Sequence, residues 1–330
     1  MGDNNATLFG MMPGQWTPAV PLTELGDDLV PLEIAGERLV AFPSGAEDWT
    51  VLLDRCPHRG AALSLGRLLP DGVLQCRYHG WRFGAGGQCQ RVPFNDLNDA
   101  ALTKIRATAI PSRMAAGCLW IYTGTATDSE PALPDTLQGP PRGFGTYQQE
   151  WNAHWTRAVE NFIDFTHPPY AHRDTIGAYT RDFAERGGTA HIEIEERDWG
   201  LSMMNFMGSR RFGFRLDWYA PNMTCLHFGP GHQLHVYSIP INATHTRVMT
   251  VRALPPGQDQ ASWEARAAGI DHQILDEDRL IVESQPGDIA NADAEISVAT
   301  DAPTLRFRRW YRQHVLHADQ PQPVTRSTVQ

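Results

Sequence analysis

Up to about Tyr122 the apolar residues come in short runs, LVAF at Leu39 to Phe42, TVLLD at Thr50 to Asp54 and CLWIY at Cys118 to Tyr122, separated by glycine and proline turns. Runs of this length bounded by turn residues predict strands, and together a small all-β domain. The pattern lapses between Gly124 and Gly145, where Pro131, Pro134, Pro140 and Pro141 interrupt any period, so this stretch reads as a linker with the boundary near Gly139. Beyond it comes one helical segment with an apolar stripe at Trp155, Val159 and Phe162. His191 to Glu195 and Phe212 to Trp218 then alternate as strands do, with Phe212, Phe214, Leu216 and Trp218 on one face. From Trp263 to Val282 the period is helical again. The fold class is therefore α+β, divided into residues 1–125, a linker at 126–145 and a second domain at 146–330. No fixed-period repeat or low-complexity tail is present.

The chain of 330 residues is long enough for two domains, each with its own core. Its 28 basic residues face 38 acidic ones, a net charge of -10 that would repel a phosphate backbone and argues against nucleic acid as a partner. The first residues, MGDNNATLFGMMPGQW, lack a basic segment followed by an apolar run, and no stretch approaches 18 apolar residues, so the expectation is a cytoplasmic protein that does not engage a membrane. Five cysteines, an odd number, do not describe a disulfide framework and leave thiols for a metal.

Two short loops carry the first candidate chemistry. CPHRG places Cys56 two residues before His58, CRYHGW places Cys76 three before His79, and 17 residues lie between the pairs. Each loop closes on a glycine, Gly60 or Gly80, which permits a tight turn. Zinc fingers usually pair Cys with Cys and His with His, whereas here both types occur in both loops. The mixture suits a [2Fe-2S] cluster with two thiolates on one iron and two imidazoles on the other, zinc being the alternative. Cys89, Cys118 and Cys225 sit at no ligand spacing and read as buried thiols. GAGGQ at Gly84 to Gln88 reads as a hairpin turn, since no GxGxxG is completed.

ENFIDFTHPPYAH, Glu160 to His172, carries the second. On a continuous helix Asn161, Asp164 and His167 share a face, and Pro168 and Pro169 end or kink that helix so that His172 can turn back towards His167. The alternative is a solvated helix end. In the later helix Trp263, Ala267, Ile270, Ile274 and Ile281 form an apolar face with Asp278 in its gap, where an unpaired carboxylate would need a cation, a proton or a hydrogen-bond partner. Asp276 and Glu277 read as solvated. His167, His172 and Asp278 would make a two-histidine, one-carboxylate triad that leaves positions open on a ferrous ion, unless the helix ends before residue 278.

The Cys-x-His and Cys-x-x-His pair resembles the Rieske motif, although Arg77 stands where many relatives have proline. With the Asn-x-x-Asp-x-x-His-x4-His segment and the late Glu-Asp-Arg, nearly the whole chain resembles the oxygenase component of Rieske non-heme iron oxygenases. LLDRCPHRGAALSLGR, HGWRF, DEDRLIVESQ and DAPTLRFRRWYR are similar to the vanillate O-demethylase and dicamba monooxygenase group. The resemblance implies a Rieske β-sandwich followed by a helix-grip catalytic domain, a [2Fe-2S] cluster on Cys56, His58, Cys76 and His79, and a mononuclear non-heme Fe(II) on His167, His172 and Asp278. It also implies a homotrimer in which Asp164 bridges His167 of one chain and His79 of the next, with Asn161 beside it.

The implied activity is hydroxylation of a small aromatic or heterocyclic substrate by dioxygen, with O- or N-demethylation where a methyl group is attacked. The chain has neither a second cluster motif nor a dinucleotide fingerprint, so electrons are expected from a separate NAD(P)H-dependent reductase, with or without a ferredoxin. A pure electron carrier and a zinc-stabilised binding protein are the competing classes. Met203, Met204, Phe206, Phe212, Phe214 and His232 are candidate pocket residues or plain core. Arg211 and Arg215 could clamp an acidic substrate or face solvent, and His232 and His235 point to opposite sheet faces.

Overall fold

The computed structural model describes residues 8–45, 48–138, 143–208, 210–229, 231–265 and 268–316. The N-terminal expectations on residues 1–7, the Gly139 boundary, Ala267 and the tail from residue 317 fall outside them, as do the side chains of Arg211 and Phe212. Among the described residues no helix is long and apolar enough to cross a membrane.

The alternating runs of the first part form two antiparallel sheets. One joins Trp16–Pro21, Cys118–Tyr122 and Ser112–Ala115, the other Val30–Ile34, Glu37–Pro43, Trp49–Leu53 and Ala109–Ile110. A third sheet of very short strands, Arg67–Leu68, Leu74–Gln75, Arg82–Phe83 and Cys89–Arg91, carries the region of the cysteine–histidine loops. Gly84 to Gln88 is the turn of its last hairpin, closed by the Gly84 N–H donating to the Gln88 carbonyl at 3.0 Å. Cys89, Cys118 and Cys225 are buried free thiols.

The second part is one seven-stranded antiparallel sheet in the spatial order Phe144–Trp151, Thr246–Ala253, His232–Pro240, Met223–Gly229, Arg210–Tyr219, Gly200–Met207, Ala190–Arg197. The first strand thus begins inside the stretch read as linker. That stretch is also anchored: Leu137 is buried and the Thr136 hydroxyl lies 2.8 Å from His235 Nε2. Cross-strand pairing puts Met203 opposite Leu216 and Leu201 opposite Trp218. This face packs on Trp155, Val159 and Ile163 of the Trp155–Ile163 helix and on Phe307 and Tyr311 of the Ala302–Tyr311 helix. Buried Glu160 fixes the two helices together, taking Arg157 at 3.1 Å and Arg308 at 2.5 Å.

Two cores were expected, yet one cluster crosses the boundary. Ile34, Leu119, Trp120 and Ile121 of the first part pack with Tyr237, Ile239, Met249 and Val251 on the sheet's other face. Trp120 meets Tyr237 edge-on at 5.5 Å, and the Ala35 and Gly36 N–H groups donate to the carbonyls of Pro240 and Ile241, both at 2.7 Å. The later helical stretch is two helices, Gln260–Glu264 and Ala268–Val282. The buried face of the longer one runs through Leu275, Asp278 and Val282, while Ile281 is exposed and Ile270 borders a cavity. The expected Trp263-to-Ile281 stripe is therefore corrected: Ile270 and Ile281 are exposed, and Leu275 and Val282, outside that stripe, carry the packing of the longer helix.

The N-cap of the Trp155–Ile163 helix is unusual in being a histidine. His154 Nδ1 accepts from the Thr156 N–H, and burial pushes its pKa from 6.5 down to about 4. A neutral imidazole can accept and a protonated one cannot, so the folded state disfavours the proton that the unfolded chain binds below about pH 6.5. The cap's contribution is full above that pH and is lost as pH falls towards 4. His154→Asn, which keeps an acceptor without a proton equilibrium, should flatten the decline of urea-unfolding stability between pH 6.5 and 4 relative to wild type; an unchanged slope would refute the assignment.

Candidate active site and cluster loops

The two cysteine–histidine loops adopt one backbone design. The Cys56 N–H donates to the Ala61 carbonyl and the Cys76 N–H to the Trp81 carbonyl, each at 2.8 Å, while the Gly60 and Gly80 N–H groups return to the Cys56 and Cys76 carbonyls at 2.8 and 3.0 Å. Closing such a loop takes a left-handed residue, and Gly60 and Gly80 have φ of 72° and 70°. The loops bring the rings of His58 and His79 to 4.5 Å, with His58 stacked on Trp81 at 4.5 Å and 6°. Both cysteines are buried, and burial together with Cys76 raises the Cys56 thiol to about 11. His58 Nδ1 is enclosed without a hydrogen-bond partner, and lost hydration plus the nearby His79 and Arg59 charges lower its pKa. A pair of enclosed thiols beside a neutral imidazole with an unused nitrogen fits metal ligation, where the metal replaces the thiol protons.

The second site takes a different local path from the one its spacing suggests. The Trp155–Ile163 helix ends before Asp164, whose backbone is extended at ψ 137°, so Asn161, Asp164 and His167 do not share one helical face. The Asp164 carboxylate is the cause. It accepts from the backbone N–H of Thr166, from the Thr166 hydroxyl at 3.0 Å and from the His167 N–H at 3.3 Å, a local turn that competes with helix. Pro168 and Pro169 do not terminate that helix; they open a new one-turn helix, Pro168–Ala171, where missing N–H groups cost nothing. His167 and His172 bracket this turn as its two caps, with rings 5.2 Å apart at 70°. The chain then crosses back so closely that a Cβ on Gly177 would stand 1.9 Å from the Pro168 carbonyl oxygen.

Asp278 meets them from the Ala268–Val282 helix. Its Oδ1 lies 3.1 Å from His172 Nε2 and 3.5 Å from His167 Nε2, yet is enclosed without a well-directed hydrogen bond. His167, His172 and Asp278 form a group whose ligand atoms all lie within 4.8 Å of one another. An orphaned carboxylate oxygen between two imidazole nitrogens fits a divalent cation. Glu277, read from sequence as solvated, is not: its Oε2 takes His172 Nδ1 at 2.9 Å and the Thr175 hydroxyl at 2.8 Å. Burial alone would lower the His172 pKa, but Asp278 and then Glu277 outweigh it and raise it. Asp276 does remain exposed, paired with Arg279 at 3.1 Å.

The triad opens on a cavity of about 700 Å³ between the sheet and the long helix. Of the candidate pocket residues Phe214 and His232 line it, whereas Met203 is fully buried in the sheet-helix core. Asn161 and Asp164 also border it, and Asn161 Nδ2 is enclosed without a partner. Arg215 turns away and pairs with fully buried Asp217 at 2.8 Å, beside His227 at the same distance. His235 is buried against the Val251 carbonyl, on the face opposite His232.

Residues 15–103 match the Rieske [2Fe-2S] domain and residues 151–316 the vanillate O-demethylase oxygenase C-terminal domain. The chain belongs to the Rieske non-heme iron oxygenases, and so carries a [2Fe-2S] cluster and a mononuclear non-heme iron. It is 37% identical over 171 residues to the 3-chlorobenzoate-3,4-dioxygenase oxygenase subunit of Comamonas testosteroni, a match spanning 50% of this chain and 39% of that one. It is 26% identical to methylxanthine N1-demethylase NdmA of Pseudomonas putida, over 90% of this chain and 88% of the relative. Dicamba monooxygenase bound to dicamba shares the fold, with a TM-score of 0.71 at 20% identity over 94% and 99% of the two chains.

Glu277 holds one nitrogen of His172 and thereby aims the other at the metal position. Glu277→Ala should weaken iron retention at this site about 10–100-fold while acid-labile sulfide stays unchanged, and Glu277→Gln should lose less because it still offers an acceptor oxygen. Equal iron affinity in all three proteins, read by titration with a ferrous chelator, would remove this role.

Proposed function

We propose that this chain is the terminal oxygenase of a multicomponent monooxygenase acting on a small aromatic or heterocyclic substrate. The observation that carries the reading is the orphaned Asp278 oxygen, set between two imidazole nitrogens at the wall of an apolar cavity. His167, His172 and Asp278 would hold ferrous iron from one side, leaving the cavity side free for dioxygen, and Cys56, His58, Cys76 and His79 would hold the cluster. When bound, the cluster supplies single electrons and the mononuclear iron activates dioxygen.

The chain's own part is to position and to exclude. Phe162, Phe165 and Phe214 keep water from the reacting carbon, and a substrate held beside the iron rather than on it leaves the open positions free. One oxygen atom enters a C–H bond, and the other leaves as water with two electrons and two protons. If the attacked carbon is a methoxy or N-methyl group, the hydroxylated carbon departs as formaldehyde. The relative named methylxanthine N1-demethylase, similar over most of its length, is compatible with this chemistry.

The electrons come from a separate NAD(P)H-dependent reductase, directly or through a ferredoxin. In a homotrimer Asp164, which already contacts the His167 backbone, would connect His167 to His79 of the partner subunit, with Asn161 beside it. Such a link aids electron passage without ligating either centre.

Protein purified without oxygen should hold about three irons and about two acid-labile sulfides per chain, and Asp278→Ala about two of each. Zinc without sulfide, or three irons in Asp278→Ala, would overturn the site assignment. Asp164→Asn, which keeps an acceptor oxygen for the Thr166 and His167 N–H groups, should keep both metal sites loaded yet lose turnover by orders of magnitude when driven by a reductase. Full activity in that variant would remove the bridging role.

A further inference from the structure

Away from the triad, the cavity wall carries Arg252, the only Lys or Arg side chain among its described lining residues. Arg252 lies at the end of the Thr246–Ala253 strand, and its Nη2 stands 2.7 Å from Asp271 Oδ2. The indole of Trp263 lies beside it, 5.8 Å from the guanidinium carbon. Asp271 precedes Asp278 by seven residues on the same helix, two turns or about 10 Å from the metal end, which leaves room for a ring system between the two ends.

Arg252 Nε and Asp271 Oδ2 are enclosed, but the two side chains keep 25% and 18% of their surface. The guanidinium Nη1 and the carboxylate Oδ1 are not used in that ion pair, and both side chains line the cavity, which sets a donor next to an acceptor. The charges around the cavity decide what this pair suits. Its lining carboxylates, Asp164, Asp271 and Asp278, are balanced by Arg252 and one divalent ion, so a bound anion would be left uncompensated in an apolar surround. Burial raises the Asp271 pKa despite the neighbouring guanidinium.

Resting on the oxygenase reading, we propose that Arg252 and Asp271 form the recognition pole of the cavity and select an uncharged ring that carries an N–H beside a C=O, such as a lactam or cyclic imide. The carbonyl accepts from Arg252, the N–H donates to Asp271, and the far edge of the ring lies towards the triad. A carboxylate would meet Asp271 as a like charge, and a plain hydrocarbon would leave both groups unpaired.

The test is calorimetric binding to the oxidised holoenzyme of three probes of similar size: 2-quinolone, 2-naphthoate and naphthalene. 2-Quinolone should bind at least about tenfold more tightly than the other two, the scale of one hydrogen bond to a charged group. Arg252→Gln should lose that advantage while naphthalene changes less than twofold. Asp271→Asn should move the preference towards 2-naphthoate by freeing the guanidinium charge, which keeps the proposal testable if Arg252→Gln does not fold. Preference of the wild-type protein for 2-naphthoate or naphthalene, or an unaltered order in Asp271→Asn, overturns the proposal. Iron analysis of the same sample separates the two readings. Iron at the triad with the wrong order of probes sinks this proposal alone, and absence of the third iron sinks the oxygenase reading.

Discussion

A carboxylate held out of water with no proton donor of its own is the constraint around which the catalytic half is arranged. Asp278 is almost fully enclosed, and a cation where the two imidazoles converge would offset its cost. Everything near it serves that convergence. The Pro168–Ala171 turn sets the spacing of His167 and His172, Gly177 lets the chain pass over that turn, and Glu277 fixes the orientation of one ring. The long helix brings the carboxylate because Leu275 and Val282 bury on the same face.

A buried ionic network supplies rigidity to the scaffold. Glu160 sits between Arg157 and Arg308, and Glu295 takes the outer edges of both guanidinium groups at 2.8 and 2.7 Å. This network ties the C-terminal helix to the helix from which the Asp164 turn emerges. Removing one partner would leave charge in a dry interior, so the helices are held in register by electrostatics as well as by the packing of Trp155 on Phe307 and Tyr311.

How much of this was legible in the sequence depended on how local the determinant was. The cluster loops were legible because ligand, turn and glycine lie within a few residues, and the three later ligand candidates because their residue types and a family resemblance pointed to them. Their path was not. Three-residue spacing favoured a continuous helix through His167, but the Asp164 side chain captures backbone donors of Thr166 and His167, an event no period records. Glu277 was missed for a related reason. It lies on the flank of its helix, and only the tertiary approach of His172 gives it a partner. The Arg252–Asp271 pair joins a strand end to a helix 19 residues away and had no sequence signal at all.

The apolar cluster that joins Trp120 to Tyr237, and Cys118 to Met249 at 3.7 Å, bears on how such a chain can be rearranged over time. The Rieske half is fused to its scaffold through side chains that neither part can cover alone. Cutting at the apparent boundary would expose Leu119, Trp120 and Ile121 on one piece and Ile239, Met249 and Val251 on the other. Exchange of this half for that of a relative would therefore have to carry the matching sheet face with it.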